Sequence, residues 1–190
     1  MNFPPRSLDA IYRVEGDRVV TSPNAAGPWD AGMQHGSAPA ALVVWAAEAI
    51  PTPGPMAIAR VTVDLMRPVP LAPLTLQTEV LRQGRKIQLC AVRLMADDVV
   101  VVGATVLKTR TQALELPSEV EDLPVELPGP DQSPPDPATF SSSPFVTGIS
   151  LRAARGRFGV PGPGRDLVPG RPAAGRGRGN FAGDARRGRG

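Results

Sequence analysis

The chain holds one histidine, His35, and one cysteine, Cys90. One cysteine excludes an internal disulfide framework and a cysteine-rich zinc site, and one histidine excludes any site that needs two. Neither a metal nor a cofactor is therefore expected. His35 lies in Gln34-His35-Gly36-Ser37, directly ahead of the longest apolar run, residues 39–47. An imidazole there can line a ligand site, or it can bond a loop carbonyl in a purely structural role. Asp30 is the one acidic side chain placed to pair with it. Asp64 reads as a strand residue paired with Arg60 or Arg67. Glu48 reads as the polar end of a helix, Cys90 as buried and inert, and Trp29 as a packing anchor. Arg-Gly pairs at 176–179 and 186–190 can contact RNA without specificity.

The elements that must position these residues are legible from periodicity. Residues 11–14 and 18–21 flank Glu15-Gly16-Asp17, a hairpin signal. Gly27-Pro28-Trp29 breaks the chain. Ser37 is suited to N-cap a helix with Pro39 in its first turn. That helix runs to about Ile50 and is apolar nearly all round, so it should be buried. Pro51, Pro53 and Pro55 end it. Four runs then alternate with a period of two, over residues 56–67, 74–82, 86–95 and 99–109. Gln83-Gly84-Arg85 and Asp97-Asp98 form turns between them. Such runs are antiparallel strands joined by hairpins. The expected class is α+β: a short hairpin, one buried helix, and an antiparallel meander wrapped round it.

Composition divides the 190 residues into regions. Residues 1–112 have a globular pattern. Residues 113–144 form an acidic, Pro-rich linker, with eight prolines, seven acidic residues and no Lys or Arg between 115 and 144. Residues 145–164 regain some structural pattern. Residues 165–190 are almost wholly Gly, Arg, Ala and Pro, a composition that favours disorder. This tail has seven arginines against two aspartates, while the other 164 residues carry 14 basic and 16 acidic side chains. The formal charge of +3 thus comes from the tail. Nucleic acid is not expected as a partner of the folded part. No apolar stretch approaches the roughly 20 residues of a membrane-spanning helix, and residues 1–10 lack a signal-peptide pattern. A cytoplasmic protein without a membrane partner is the expectation.

Four segments carry a family resemblance: Gly27-Pro28-Trp29; Gln34-His35-Gly36-Ser37 with the apolar run behind it; Ala59-Arg60-Val61-Thr62-Val63-Asp64-Leu65-Met66-Arg67-Pro68-Val69-Pro70; and Arg82-Gln83-Gly84-Arg85-Lys86-Ile87-Gln88. In this order they resemble the acyl-CoA thioesterase family of double-hotdog type (acyl-CoA thioesterase II-like), which reads GPW, QHGG, RLTVDFLRPVP and R-x-GRR-x-Q. The resemblance covers residues 1–112 closely and residues 145–164 as the start of a second hotdog. It implies a hotdog fold, with the helix as sausage and the curved sheet as bun. It also implies hydrolysis of an acyl-CoA thioester to a free acid and coenzyme A.

The resemblance places the thioester where the N-terminus of the helix meets a neighbouring unit. His35, Gly36 and Ser37 are then the substrate-binding candidates. Helix N-terminal N–H groups are unpaired and can polarise a carbonyl. Gly36 would let backbone approach the acyl group, and Ser37 stands where the family often has a second glycine. Arg67, Arg82 and Arg85 can meet coenzyme A phosphates or form a solvated strand edge. No catalytic base is identified: the positions that carry a carboxylate in related His-Gly-Gly thioesterases are Val43 and Val44 here. Activity is therefore expected to be impaired, with a non-catalytic acyl-CoA-binding or dimerisation module as the alternative. A homodimer through joined sheets is the expected assembly. Read from the second base of the Arg165 codon, permitted codons turn residues 165–182 into a sequence similar to the family's continuation. The second unit is on that reading truncated by a frameshift.

Overall fold

The computed structural model describes residues 10–113, 115, 117, 127–129, 131–133, 143–149, 151–155, 166–169 and 181–183. Most of the linker, and most of residues 156–190, lie outside these described residues. The expectations of an extended linker and a disordered tail fall largely there.

An opening hairpin pairs β1 (Tyr12–Glu15) with β2 (Arg18–Thr21). Glu15 faces Arg18, so the turn is the two residues Gly16-Asp17 and not the three expected. Gly16 makes this possible by adopting a φ of 63°. A single 3-10 turn, Pro23–Ala25, leads to the loop before α1 (Ser37–Ala49). Four long strands follow, β3 (Met56–Leu65), β4 (Leu74–Gln83), β5 (Ile87–Ala96) and β6 (Val99–Arg110); β3 pairs with β6 and not with β4, which corrects the expected meander of hairpins for its first strand. Asp97 and Asp98 turn the β5–β6 hairpin with φ of 46° and 62°. Both central residues at positive φ match the right-handed twist of the flanking strands.

The sheet order is β3-β6-β5-β4-β2-β1, antiparallel throughout. A short strand β9 (Phe181–Gly183) adds in parallel to β1. A separate pair joins β7 (Leu151–Arg155) to β8 (Asp166–Pro169). A short helix, α2 (Pro144–Thr147), lies between β6 and β7 in sequence. The α+β class and the sheet-around-helix plan agree with the sequence reading.

The core lies between α1 and the concave face of the sheet. From α1 it takes Ala38, Leu42, Val43, Ala46 and Ala47; from β5 and β6 it takes Val92, Leu94, Val102, Ala104 and Val106. The helical contributors recur at i, i+4 spacing, so they form one stripe. The helix was expected to be covered all round. It is not: Ala41, Glu48 and Ala49 are exposed, and Val44 and Trp45 are half-buried. One sheet of this size covers one side of a helix and leaves the other to a neighbour or to water.

Three strand irregularities shift the alternation. Register slips lie between Ile58 and Arg60, between Val80 and Arg82, and between Leu94 and Met95. A bulge adds one residue to one strand and reverses the faces beyond it. Ala59 is therefore exposed, although it was expected on one face with Val61 and Val63, and half-buried Ile58 takes its place.

Candidate functional site

The loop before α1 is tied down by backbone bonds from three directions. His35 N–H donates to the Ala25 carbonyl at 2.8 Å, Gln34 N–H to Val69 at 2.8 Å, and Gly27 N–H to Met33 at 2.9 Å. The Gly27 and Gln34 segments thus run against each other. A Cβ on Gly27 would come within 3.2 Å of the His35 nitrogen, which explains the glycine. Trp29, in the same loop, is 95% exposed. This corrects its reading as a packing anchor: the close backbone approach at Gly27 turns the next residues out into solvent.

Beneath the loop, Gln34 is a polar side chain inside an apolar core. Its Oε1 accepts from the Tyr12 hydroxyl, and its Nε2 donates to the Pro70 carbonyl at 2.8 Å. A weaker contact runs from Nε2 to Thr21 Oγ1 at 3.5 Å, and Thr21 donates on to Ala72 at 2.9 Å. Burial pushes the Tyr12 phenol well above its usual range, so it stays a neutral donor. The network joins the first hairpin, the helix entrance and the segment after β3. Sequence reading passed over Gln34 and Tyr12 because a buried polar pair leaves no periodic signal.

At the entrance itself, Gly36 is the N-cap and Ser37 the first helical residue. The expectation that Ser37 caps the helix is thus corrected. The cap is supplied from upstream: His35 Nδ1 accepts the Ser37 N–H at 3.2 Å. The Ala38 N–H donates to the His35 carbonyl at 2.8 Å. Pro39 has no N–H, and the Ala40 N–H reaches Gly36 at 3.4 Å. The free donors expected of a helix N-terminus are therefore mostly engaged. Two remain without a partner among the described residues: the Gly36 N–H and His35 Nε2. Gly36 packs closely as well, since a Cβ there would lie 3.2 Å from Leu65 Cδ1.

His35 is half-buried and its ring stacks on Phe145 of α2, centroids 4.6 Å apart at 11°. Burial lowers its pKa below the ordinary imidazole value, so at neutral pH the ring is uncharged. Asp30 does not pair with it; its Oδ1 accepts the Gly32 N–H at 2.7 Å. An acidic residue two positions before a turn glycine satisfies the local backbone first. Asp64 is exposed and forms no ion pair with Arg60 or Arg67; the ion pairs among the described residues are Arg13–Glu15 and Arg93–Glu79. Ser37 is exposed at the mouth, while Glu48 lies at the far end of α1.

That far end has its own polar cluster. Lys108, 3% exposed, donates from Nζ to the Ile50 carbonyl at 2.9 Å, and Gln88 donates to the Pro51 carbonyl at 2.8 Å. A cation and an amide thus satisfy the carbonyls of the C-cap Ile50 and of Pro51 just past it, beside the end of α1 that carries partial negative charge. The Cys90 thiol donates to Gln88 Oε1 at 3.3 Å. Burial raises its pKa, partly offset by the Lys108 charge, in agreement with its reading as buried and inert. Two clefts of about 380 and 320 Å³ open beside this end, sharing Met56; Glu48 and Lys108 line the first, Arg85 and Arg110 the second. Arg67 and Arg82 are exposed elsewhere on the sheet. Among the described residues no group of His, Cys, Asp and Glu can hold a metal ion. No helix among them is long and apolar enough to cross a membrane.

With this geometry in place, comparison with known proteins is direct. Residues 25–109 match the family model of the acyl-CoA thioesterase N-terminal domain. No curated protein matches the chain. A hot dog fold protein of unknown function from Alicyclobacillus acidocaldarius superposes with a TM-score of 0.58 at 22% identity, over 80% of this chain and 57% of that one. A candidate thioesterase from Novosphingobium aromaticivorans gives 0.55 at 24% identity, over 76% and 58%. A candidate thioesterase II from Thermobifida fusca gives 0.51 at 15% identity, over 75% and 51%. The chain thus spans little more than half the length of these structures. The matched segment holds the Gln34–Ser37 loop, α1 and the four long strands. Residues 25–109 are therefore similar to the acyl-CoA thioesterase N-terminal domain, and the chain has the hotdog fold.

Proposed function

We propose that the chain binds acyl-CoA thioesters at the entrance of α1 and hydrolyses them slowly to a free acid and coenzyme A. The observation that carries this reading is the pair of unengaged donors, Gly36 N–H and His35 Nε2, at the mouth of a buried apolar helix. Both can point a hydrogen bond at one thioester oxygen. Water adds to the carbonyl carbon, the charge grows on that oxygen, and the donors stabilise it. Collapse breaks the C–S bond, and the coenzyme A thiolate leaves and takes up a proton. Slow turnover follows from the side chains: α1 has one carboxylate, Glu48, exposed a helix length from His35. Among the described residues, α1 offers no carboxylate near its N-terminus to take a proton from the attacking water, and the Asp30 carboxylate in the loop before it is engaged by the Gly32 N–H. In keeping with an acyl-CoA substrate, the proposed compartment is the cytoplasm.

The missing base also favours the second reading, a module that binds acyl-CoA without hydrolysing it. One experiment separates them: thiol release from acyl-CoA by the full chain and by His35→Ala. Loss of one donor at the developing oxyanion should slow turnover by about tenfold or more, equivalent to about 1.4 kcal/mol. Equal rates with retained binding would favour the module.

Assembly is proposed on the sheet. β3 is an end strand, paired to β6 on one side only, and ten residues long. Leu65 and Met66 beside it are 52% and 64% exposed. A long apolar edge invites pairing with another strand, and a second copy of this chain supplies an identical one. Sedimentation of the purified chain should give twice the 19.9 kDa chain mass. A mass that stays at one chain across micromolar concentrations would remove the dimer. The double-hotdog organisation, with its second unit shortened by a frameshift after residue 164, is part of the same reading; an open alternative frame in the gene encoding a second hotdog supports it, and its absence refutes it.

A further inference from the structure

Phe145 belongs to α2, beyond the linker, yet its ring lies on His35. It is firmly placed there. Its backbone N–H donates to the Ala26 carbonyl at 3.2 Å, and the Ser143 hydroxyl caps α2 by accepting the Val146 N–H at 3.4 Å. Phe145 and Val146, 6% and 7% exposed, join the same core cluster as Leu42 and Val69. The stack is close to parallel, 4.6 Å between centroids at 11°. The edge of the imidazole is held as firmly: Nδ1 accepts the Ser37 N–H at 3.2 Å. A nitrogen that accepts carries no proton, so a neutral ring carries its proton on Nε2.

We infer that Phe145 is a positioning residue, which holds His35 in the Nε2-protonated tautomer so that the imidazole serves the site as a hydrogen-bond donor and not as a base. This deepens the proposed function and rests on it for its catalytic meaning. Two constraints meet on one ring. Turning the imidazole about its Cβ–Cγ bond breaks the Ser37 bond, and tilting it breaks the stack. Burial of the ring disfavours charge on the imidazole, which lowers its pKa. The consequence is specific. With the Ser37 and Ala38 N–H groups engaged, Nε2–H replaces the lost helix donors beside the Gly36 N–H. The segment at 143–149 is then part of the first unit's site, although the linker separates it in sequence.

The test uses the full chain labelled with 15N, in which the single histidine gives one imidazole spectrum. The wild-type protein should show Nδ1 unprotonated and Nε2 protonated at neutral pH. Phe145→Leu fills the space with a branched aliphatic group but offers no flat face. There the two nitrogen resonances should move towards each other as the tautomers mix. Phe145→Tyr keeps the stack and should restore the full separation. Full separation in a folded Phe145→Leu protein would overturn the inference. So would a wild-type spectrum with the proton on Nδ1, a result that needs no variant to fold. The readout is independent of turnover: if the tautomer responds as expected but the chain hydrolyses no acyl-CoA, the positioning stands and the catalytic reading falls.

Discussion

Leu42→Ala should lower the unfolding free energy by about 3–5 kcal/mol, the range for a buried leucine whose cavity cannot collapse. Leu42 is fully buried at the middle of α1, in one cluster with Val92, Leu94, Val102 and Val106. The sheet backs it with paired strands on either side, so surrounding atoms have little freedom to close the gap. Nor does α1 have stability of its own to fall back on. Its 13 residues are near the length at which isolated helices are marginal in water. Against a typical total of about 5–15 kcal/mol, the loss is severe. Urea unfolding followed by circular dichroism measures it. A change below about 1 kcal/mol would mean that the sheet does not press on this face of α1 as the structure has it.

Gln34→Leu should cost about 2–5 kcal/mol and displace the helix entrance as well. The substitution removes the acceptor of the Tyr12 hydroxyl and the donor to the Pro70 carbonyl at once. Each buried group stripped of its bond costs about 1–3 kcal/mol, and the gain in apolar surface offsets only part of that. Gln34 is also next to His35 in sequence, so a shift of the loop is felt directly at the Ser37 N–H bond. The coupling can be read from a cycle. Tyr12→Phe together with Gln34→Leu should cost less than the two changes added, because each single change already breaks the bond the two side chains share. Strict additivity would show that the two side chains do not depend on each other.

Much of this fold was legible before any coordinates. The period of two over residues 56–109 was sufficient to find β3 to β6 and their antiparallel sense, but not that β3 sits beside β6. The prolines at 51, 53 and 55 ended α1 within one residue of its last helical position, Ala49. Local rules sufficed for the β4–β5 and β5–β6 hairpins, where neighbours in sequence pair, but not for β3 on β6 or β2 on β4, which join residues about 40 to 55 positions apart. The slips at Ile58, Val80 and Leu94 were not legible, since a bulge depends on what the partner strand demands. The exposure of Trp29 was hidden for a similar reason: size and apolarity favour burial on average, but the loop at Gly27 had already spent its inward positions on backbone pairing.

For the site, the division is sharper. Residue types and spacing alone show that His35 is the chain's one imidazole, that a glycine and an apolar stretch of helical pattern follow it, and that no carboxylate stands in that stretch before Glu48. These are facts of residue type and spacing, and the proposed slow hydrolysis or binding rests on them. Only the tertiary structure decided what the imidazole does. It turned Nδ1 inward onto the Ser37 N–H, set Gln34 between Tyr12 and Pro70, and brought Phe145 across the linker to cover the ring. Those contacts join residues far apart in the chain. Their free energy comes from filling a shared interior, where each group must find a partner, and that requirement has no local signature.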